Sequence, residues 1–301
     1  MTRATMSRPR SLFLCAAAYL AAGIAAVAVG RLMNGRSPIM AAAAADLAAT
    51  LVVFAFSLFL DNSSMYDPYW SVAPVPIGLY WLVRFGDGIT ARRAVLLALV
   101  LLWAARLTAN WLRRWRGLAD EDWRYADFRR MGAAYWPISF LGFHLMPTVI
   151  VFLGCLSLVP ALTAGSRPIG VLDLLAAAVM LAAIGIESAA DRRLRRFLAS
   201  PREPGRILST GLWALSRHPN YFGEVLFWWG LYLFGLAANP GWWWTIAGPA
   251  AITLLFLAIS VPMMDKRMLA RHPGYAEHIA ARSGLVPWPA RQEDDSQEAN
   301  G

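Results

Sequence analysis

The chain has 301 residues, of which 58% are hydrophobic and 16% charged, with a mean hydropathy of +0.45. Ordinary globular chains run at about 45–50% apolar and about 25% charged, so a disordered chain and a pair of water-soluble domains are both excluded and the class is a multi-pass membrane protein. The 28 Lys+Arg against 19 Asp+Glu leave a net charge of +9, which by itself fits an acidic partner such as nucleic acid; the placement of the arginines decides otherwise.

A bilayer core about 30 Å thick takes roughly 17–25 mainly apolar residues per helix. Eight stretches qualify: 11–30, 41–60, 68–84, 93–109, 140–160, 169–189, 221–237 and 244–263. The predicted fold is therefore an all-α, polytopic transmembrane bundle of about eight spans. It has seven if the third is re-entrant, because that stretch holds Pro74, Pro76 and Gly78. Residues 1–40 form an N-terminal anchor span and loop, with an apolar run longer than that of a signal peptide. Residues 41–289 make the transmembrane domain and 290–301 a disordered polar tail. With eight crossings, the segments 1–10, 61–67, 110–139, 190–220 and 264–301 share one side and carry most of the basic residues, which places both termini in the cytoplasm. Cys15 and Cys155 lie within apolar spans, and no CxxC, HExxH or glycine-rich phosphate loop is present, so no metal site is expected.

Polar residues at membrane depth are costly and for that reason point to function. In chain order, Asp67 stands just before the Pro-rich span, between Tyr66 and Tyr69. It reads equally as an N-cap and as a half-buried acid that holds a proton. Arg106 and Asn110 are four residues apart on one helix face, which Arg113 and Arg114 extend; they read as topogenic charges or as ligands for an anion. Glu187 and Asp191 share a face at the end of the sixth span, either as a salt-bridged helix end or as acceptors for a ligand hydroxyl. The densest cluster is Ser216-Arg217-His218-Pro219-Asn220-Tyr221-Phe222-Gly223-Glu224. Pro219 suits the first turn of a helix, Asn220 and Glu224 share its face, and Arg217 and His218 sit beside a helix start whose free N–H groups favour a phosphate. The plain alternative is a capped helix with a solvated Arg and His. His144 reads as a satisfied core residue and His278 as solvated.

The stretch GLWALSRHPNYFGEVLFWWG resembles the steroid 5-alpha-reductase-like family, as do ESAADRR upstream, YAEHIAARSGLVPWP downstream, and the earlier DPYWS and RLTANWLRRW…EDWRY segments. The likeness runs over residues 60 to 289 and is nearest to a bacterial branch of largely unassigned function. It implies an integral-membrane reductase with NADPH held on the cytoplasmic side. Carried over residue by residue, it gives Glu187, Asp191, Asn220, Tyr221 and Glu224 to the cofactor, with Arg106, Asn110, Arg113, Arg114, Arg217 and His218 around its phosphates. The catalytic acid falls to Asp67 with Tyr66 or Tyr69, polarising the carbonyl of an apolar lipid or steroid-like enone drawn from the bilayer. Where the steroid enzymes carry a carbonyl-polarising tyrosine, this chain has Trp103, so that role passes to Tyr66, Tyr69 or Tyr80.

Two other readings compete. An S-adenosylmethionine-dependent enzyme resembling isoprenylcysteine methyltransferases would share the RHP-x-Y start of the seventh span, but that family's paired glutamate is missing from the Val261–Arg267 stretch. A transporter or scaffold explains the spans but not polar residues gathered at the inner face. Nucleic acid is excluded as a partner, because the basic residues are divided among loops and interleaved with Trp. The expected location is a bacterial inner membrane.

Overall fold

A computed structural model describes residues 6–163, 167–201 and 205–289; the tail expected at 290–301 lies outside the described residues. The described chain is helical, with one isolated bridge between Ser216 and Ser283. Its helices are α1 (Arg8–Leu32), α2 (Pro38–Phe59), α3 (Pro74–Phe85), α4 (Ala91–Arg114), α5 (a helical run over 135–155), α6 (Val171–Ala199), α7 (Pro219–Ala238), α8 (a helical run over Pro240–Leu269) and α9 (Tyr275–Ala281). Two compact units result. One is Met1–Ile169 with Gly235–Gly248, and the other is Gly170–Phe234 with Pro249–Gly301.

By length and composition, seven helical runs are able to cross a membrane. The stretch that falls short is 68–84, which divides into the single turn Tyr69–Val72 and the 12-residue α3. Pro74 and Pro76 occupy the first turn of α3, where a missing N–H is tolerated. At 1.5 Å per residue α3 is only about 18 Å long, well under the apolar thickness.

Two other prolines widen the helices that hold them. The π-helical segments Ser139–Leu145 and Phe256–Ser260 lie just before Pro147 and Pro262. A proline neither donates to the carbonyl four residues back nor clears it, and a wider turn relieves both problems. In α5 the widened turn leaves the Ser139 carbonyl to the buried His144, whose Nδ1 lies 2.9 Å from it.

Within the first unit, α1 packs on α2. Ser11 accepts from the Leu118 N–H at 3.1 Å, and Cys15 and Ala18 join Met65, Trp115 and Leu118 in a buried cluster. Gly117 has φ +106, and a Cβ there would lie 2.9 Å from Ser11 Oγ, so this turn needs glycine on both counts.

Within the second unit, α6 and α7 touch backbone to backbone. A Cβ on Gly223 would lie 2.7 Å from Glu187 Cβ and 2.9 Å from the Ala183 carbonyl, and one on Gly230 would lie 2.6 Å from Met180 Cγ. Small residues at such spacings let apolar helices approach where lipid offers no hydrophobic drive. Gly223→Val or Gly230→Val should therefore lower the melting temperature of the detergent-solubilised protein by roughly 5 °C or more. Gly185→Ala, whose Cβ would meet nothing within 4 Å, should leave it unchanged.

Candidate functional site

In the first unit the 61–67 loop is knitted to the 117–129 loop. The Asn62 amide donates to the Leu118 and Asp120 carbonyls at 3.0 Å each, and the Ser63 N–H donates to Glu121 at 2.8 Å. Arg129 grips Glu121 and Asp61 together, with contacts of 2.6 Å to each carboxylate, and lies 4.5 Å over the Tyr135 ring. This frame holds Asp67, whose Oδ1 accepts from Tyr125 Oη at 2.5 Å while Arg124 stands 3.8 Å away. Burial pushes the Asp67 carboxyl up to about 6, with Asp122 and Glu121 adding to the rise and Arg124 and the Tyr125 bond opposing it. The sequence left Asp67 open between a cap and an acid. No cap bond is made by it, and the local caps are Asn62 and Asp122 instead.

The two tyrosines beside Asp67 turn away from it. Their rings stack at 4.9 Å. Tyr69 Oη donates to Asp46 Oδ1 at 2.6 Å, and Tyr66 Oη lies 2.6 Å from Thr148 Oγ1, which in turn meets Thr50 at 2.8 Å. Asp46, Thr50 and Thr148 are all buried. Sequence reasoning missed Asp46, Thr148 and Tyr125. Asp46 had a readable signal as the one charged residue in the 41–60 stretch, and Tyr125 as the end of the EDWRY segment; Thr148 had none. On α4, Arg106 and Asn110 are half-buried and Arg113 and Arg114 exposed. Thr108 of the same helix meets Ser71 of the Tyr69–Val72 turn at 2.8 Å, and Trp103 is fully buried.

The second unit carries the rest. Glu187, Asp191 and Glu224 are buried, and the Gly223 contact sets Glu187 directly against the start of α7. Trp228 Nε1 donates to Glu224 Oε1 at 2.9 Å. Asn220 Oδ1 is buried and has no hydrogen-bond partner among the described residues, which is the mark of a site able to take a donor from a ligand.

Arg217 and His218 are committed elsewhere. Arg217 donates to Asp265 Oδ2 at 2.7 Å and to the Ile279 and Arg282 carbonyls at 3.0 and 2.7 Å. His218 Nε2 lies 3.0 Å from Asp265 Oδ1, which also accepts from Tyr275 Oη at 3.2 Å. The His218 ring stacks on Tyr221 at 5.1 Å, and Tyr221 packs on Phe256 at 4.9 Å. The chain after α9 is strapped to the same loop. The Arg217 N–H donates to the Ser283 carbonyl, Ser216 Oγ to the Leu285 carbonyl and the Trp288 N–H to the Leu215 carbonyl, at 2.8–2.9 Å. His278 is buried rather than solvated. It takes a 3.0 Å bond from Arg282 at Nδ1, and burial together with that guanidinium pushes it down to about 4.

A polytopic helical membrane protein with buried carboxylates in both units is the class these features define. The chain belongs to the DUF1295 family, described as a protein family of unknown function, which it matches over residues 53–281. It is also similar to the uncharacterized protein C594.04c of Schizosaccharomyces pombe, at 28% identity over 251 residues that cover 74% of this chain and 72% of the yeast protein. No solved structure matches.

Two outcomes follow for the buried acids. A carboxyl raised from 3.8 to about 6 lends the fold stability below its unfolded value and loses it as pH climbs through about 6. Asp67→Asn escapes that loss, up to about 3 kcal/mol. The variant's melting temperature should thus gain on the parent between pH 4.5 and 7.5, and a constant difference would contradict the burial account. Asp265→Asn leaves the Arg217 charge, with its side chain 11% exposed, short of its partner. It should cost about 3–5 kcal/mol and open the strap to trypsin at Arg282.

Proposed function

We propose that this protein is an integral-membrane NADPH-dependent reductase of a carbon–carbon double bond in an apolar lipid or steroid-like enone. The observation that carries the reading is the start of α7. An unpartnered Asn220 oxygen, a buried Glu224 and the closely apposed Glu187 there give a polar site for which an apolar bundle has no structural use. The family match supports it as well, since DUF1295 is associated with steroid 5-alpha-reductase-like proteins.

In this reading Asn220, Glu187, Asp191 and Glu224 hold the cofactor through ribose and carboxamide groups, while in the other unit the α4 face of Arg106, Asn110, Arg113 and Arg114 is suited to an anion. Arg217 and His218 act at one remove. Bonded to Asp265, they fix the turn that begins α7, and through the His218–Tyr221 stack they fix the Tyr221 ring. When bound, NADPH supplies a hydride. The chain's own contribution is an acid and an anhydrous setting. Asp67 holds a proton on its carboxyl and offers it to the substrate carbonyl, so that negative charge developing on that oxygen is stabilised. Tyr125 steers Asp67 through its hydrogen bond. Tyr66 and Tyr69, buried and stacked on each other with their hydroxyls turned to Thr148 and Asp46, support the Asp67 loop from within and do not act on the substrate.

The test is cofactor binding by the purified protein. NADPH should bind and quench tryptophan fluorescence, and Glu224→Ala or Asn220→Ala should weaken it by 10-fold or more without loss of the folded peak in size exclusion. Binding of S-adenosylmethionine instead, or of neither, sinks the reading. With substrate in hand, kcat/KM should fall as pH rises through about 6, the range of the Asp67 carboxyl, and Asp67→Asn should abolish that limb.

A further inference from the structure

The basic end of α6 contains a feature that the reductase reading does not use. A cavity of about 500 Å³ opens there, rimmed by Arg192, Arg193, Arg196 and Arg206 and floored by Phe197 and Trp213. Among the described residues no carboxylate lines it. The rim is held in place: Arg193 donates to Thr210 Oγ1 from Nε at 3.1 Å and Nη2 at 2.7 Å, and Arg206 lies 5.6 Å over the Phe197 ring. Gly211, at φ +64, lets the loop turn against the Arg193 side chain, 3.6 Å from where a Cβ would stand. Trp213 is anchored by its own bond to the Ala190 carbonyl at 3.2 Å.

The surface leading away from this cavity is as telling as the cavity. Leu174, Ala178, Ala182 and Gly185 are exposed and Ala189 half-exposed, at steps of three or four residues on one face of α6. That face arrives at Arg192, Arg193 and Arg196. It is an apolar track along a helix long enough to cross the bilayer, ending at the arginine-lined cavity. A nucleotide has no need of the track, and an apolar substrate has no need of four guanidinium groups.

We infer that this cavity and track bind one anionic glycerophospholipid, with the phosphodiester among Arg193, Arg196 and Arg206 and an acyl chain along Ala182, Gly185 and Ala189. The bound lipid fastens the end of α6 to the 205–213 loop, which otherwise brings together like charges. The assignment is independent of the reductase reading, since it involves none of the residues given to NADPH.

The probe is dioleoyl phosphatidylglycerol added to delipidated full-length protein in neutral detergent, compared with dioleoyl phosphatidylcholine, glycerol 3-phosphate and 2′,5′-ADP. Phosphatidylglycerol should raise the melting temperature by about 5 °C and remain attached as a single adduct in native mass spectrometry, and the other three should do neither. The double variant R193Q/R196Q should lose the adduct. Gly185→Phe, placed where nothing lies within 4 Å of a Cβ, should also weaken it by blocking the track while leaving every arginine in place, so a failure of the double variant to fold leaves a second test. Equal retention of phosphatidylcholine shows an unselective annular contact and overturns the proposal. An equal shift with glycerol 3-phosphate or 2′,5′-ADP makes the cavity a site for soluble phosphates and overturns it too, as does an adduct that survives both variants.

Discussion

A carboxylate persists inside an apolar helical body only where something donates to it, and in this protein that constraint organises each unit. Asp265 is the fullest case. Its two oxygens receive Arg217, His218 and Tyr275, drawn from the turn before α7 and from the start of α9. Without that carboxylate the guanidinium of Arg217 loses its ion-pair partner and the Tyr275 hydroxyl its acceptor, and the 283–288 strap is left with its backbone bonds and the one from Ser216 Oγ. The same rule pairs Asp46 with Tyr69, Asp67 with Tyr125 and Glu224 with Trp228. Aromatic donors suit this work, since a phenol or indole satisfies the acid with its polar tip and the apolar surroundings with its ring.

Much of this organisation was readable along the chain. The long spans follow from hydropathy alone, because a helix facing lipid must be apolar over its whole length and seven of the eight expected stretches are so. The eighth, 68–84, satisfies the apolar count but not the helical one, since Pro74 and Pro76 lack N–H donors and divide the ladder at Ala73, although the backbone there stays helical. The RHPNYFGE stretch declared a helix start with Asn220 and Glu224 on one face, and Pro219 does begin α7. What the chain could not declare are partnerships over distance. Arg217 and His218 looked free to meet a phosphate because Asp265 stands 48 and 47 positions away. Tyr125 is 58 positions from Asp67 and Thr148 is 82 from Tyr66. His278 looked solvated on a polar helix, yet it is buried there and bonded by Arg282.

Arginine serves two purposes here, and the net charge of +9 conceals the division. Arg92, Arg129 and Arg217 are structural clamps. Arg92 closes on the carbonyls of Arg167 and Pro168 at 2.7 and 3.0 Å, and the other two bind carboxylates together with carbonyls. Guanidinium suits that task because its planar fork reaches several oxygens at once. The arginines at the end of α6 surround a space instead, and those of α4 line a helix face suited to an anion. The first group accounts for order in the loops, and the second for the anions such a protein would meet at a membrane surface.

The reductase assignment is tested most directly by following the transferred atom. Folded protein in lipid nanodiscs is incubated with NADPH carrying deuterium at both C4 positions of the nicotinamide and with a panel of membrane-soluble enones. The products are then read by mass spectrometry. The account requires one deuterium on the carbon β to the carbonyl of a reduced product and a solvent proton on the neighbouring α carbon. Saturated product without deuterium, or no product from any enone while the protein stays folded, would contradict it.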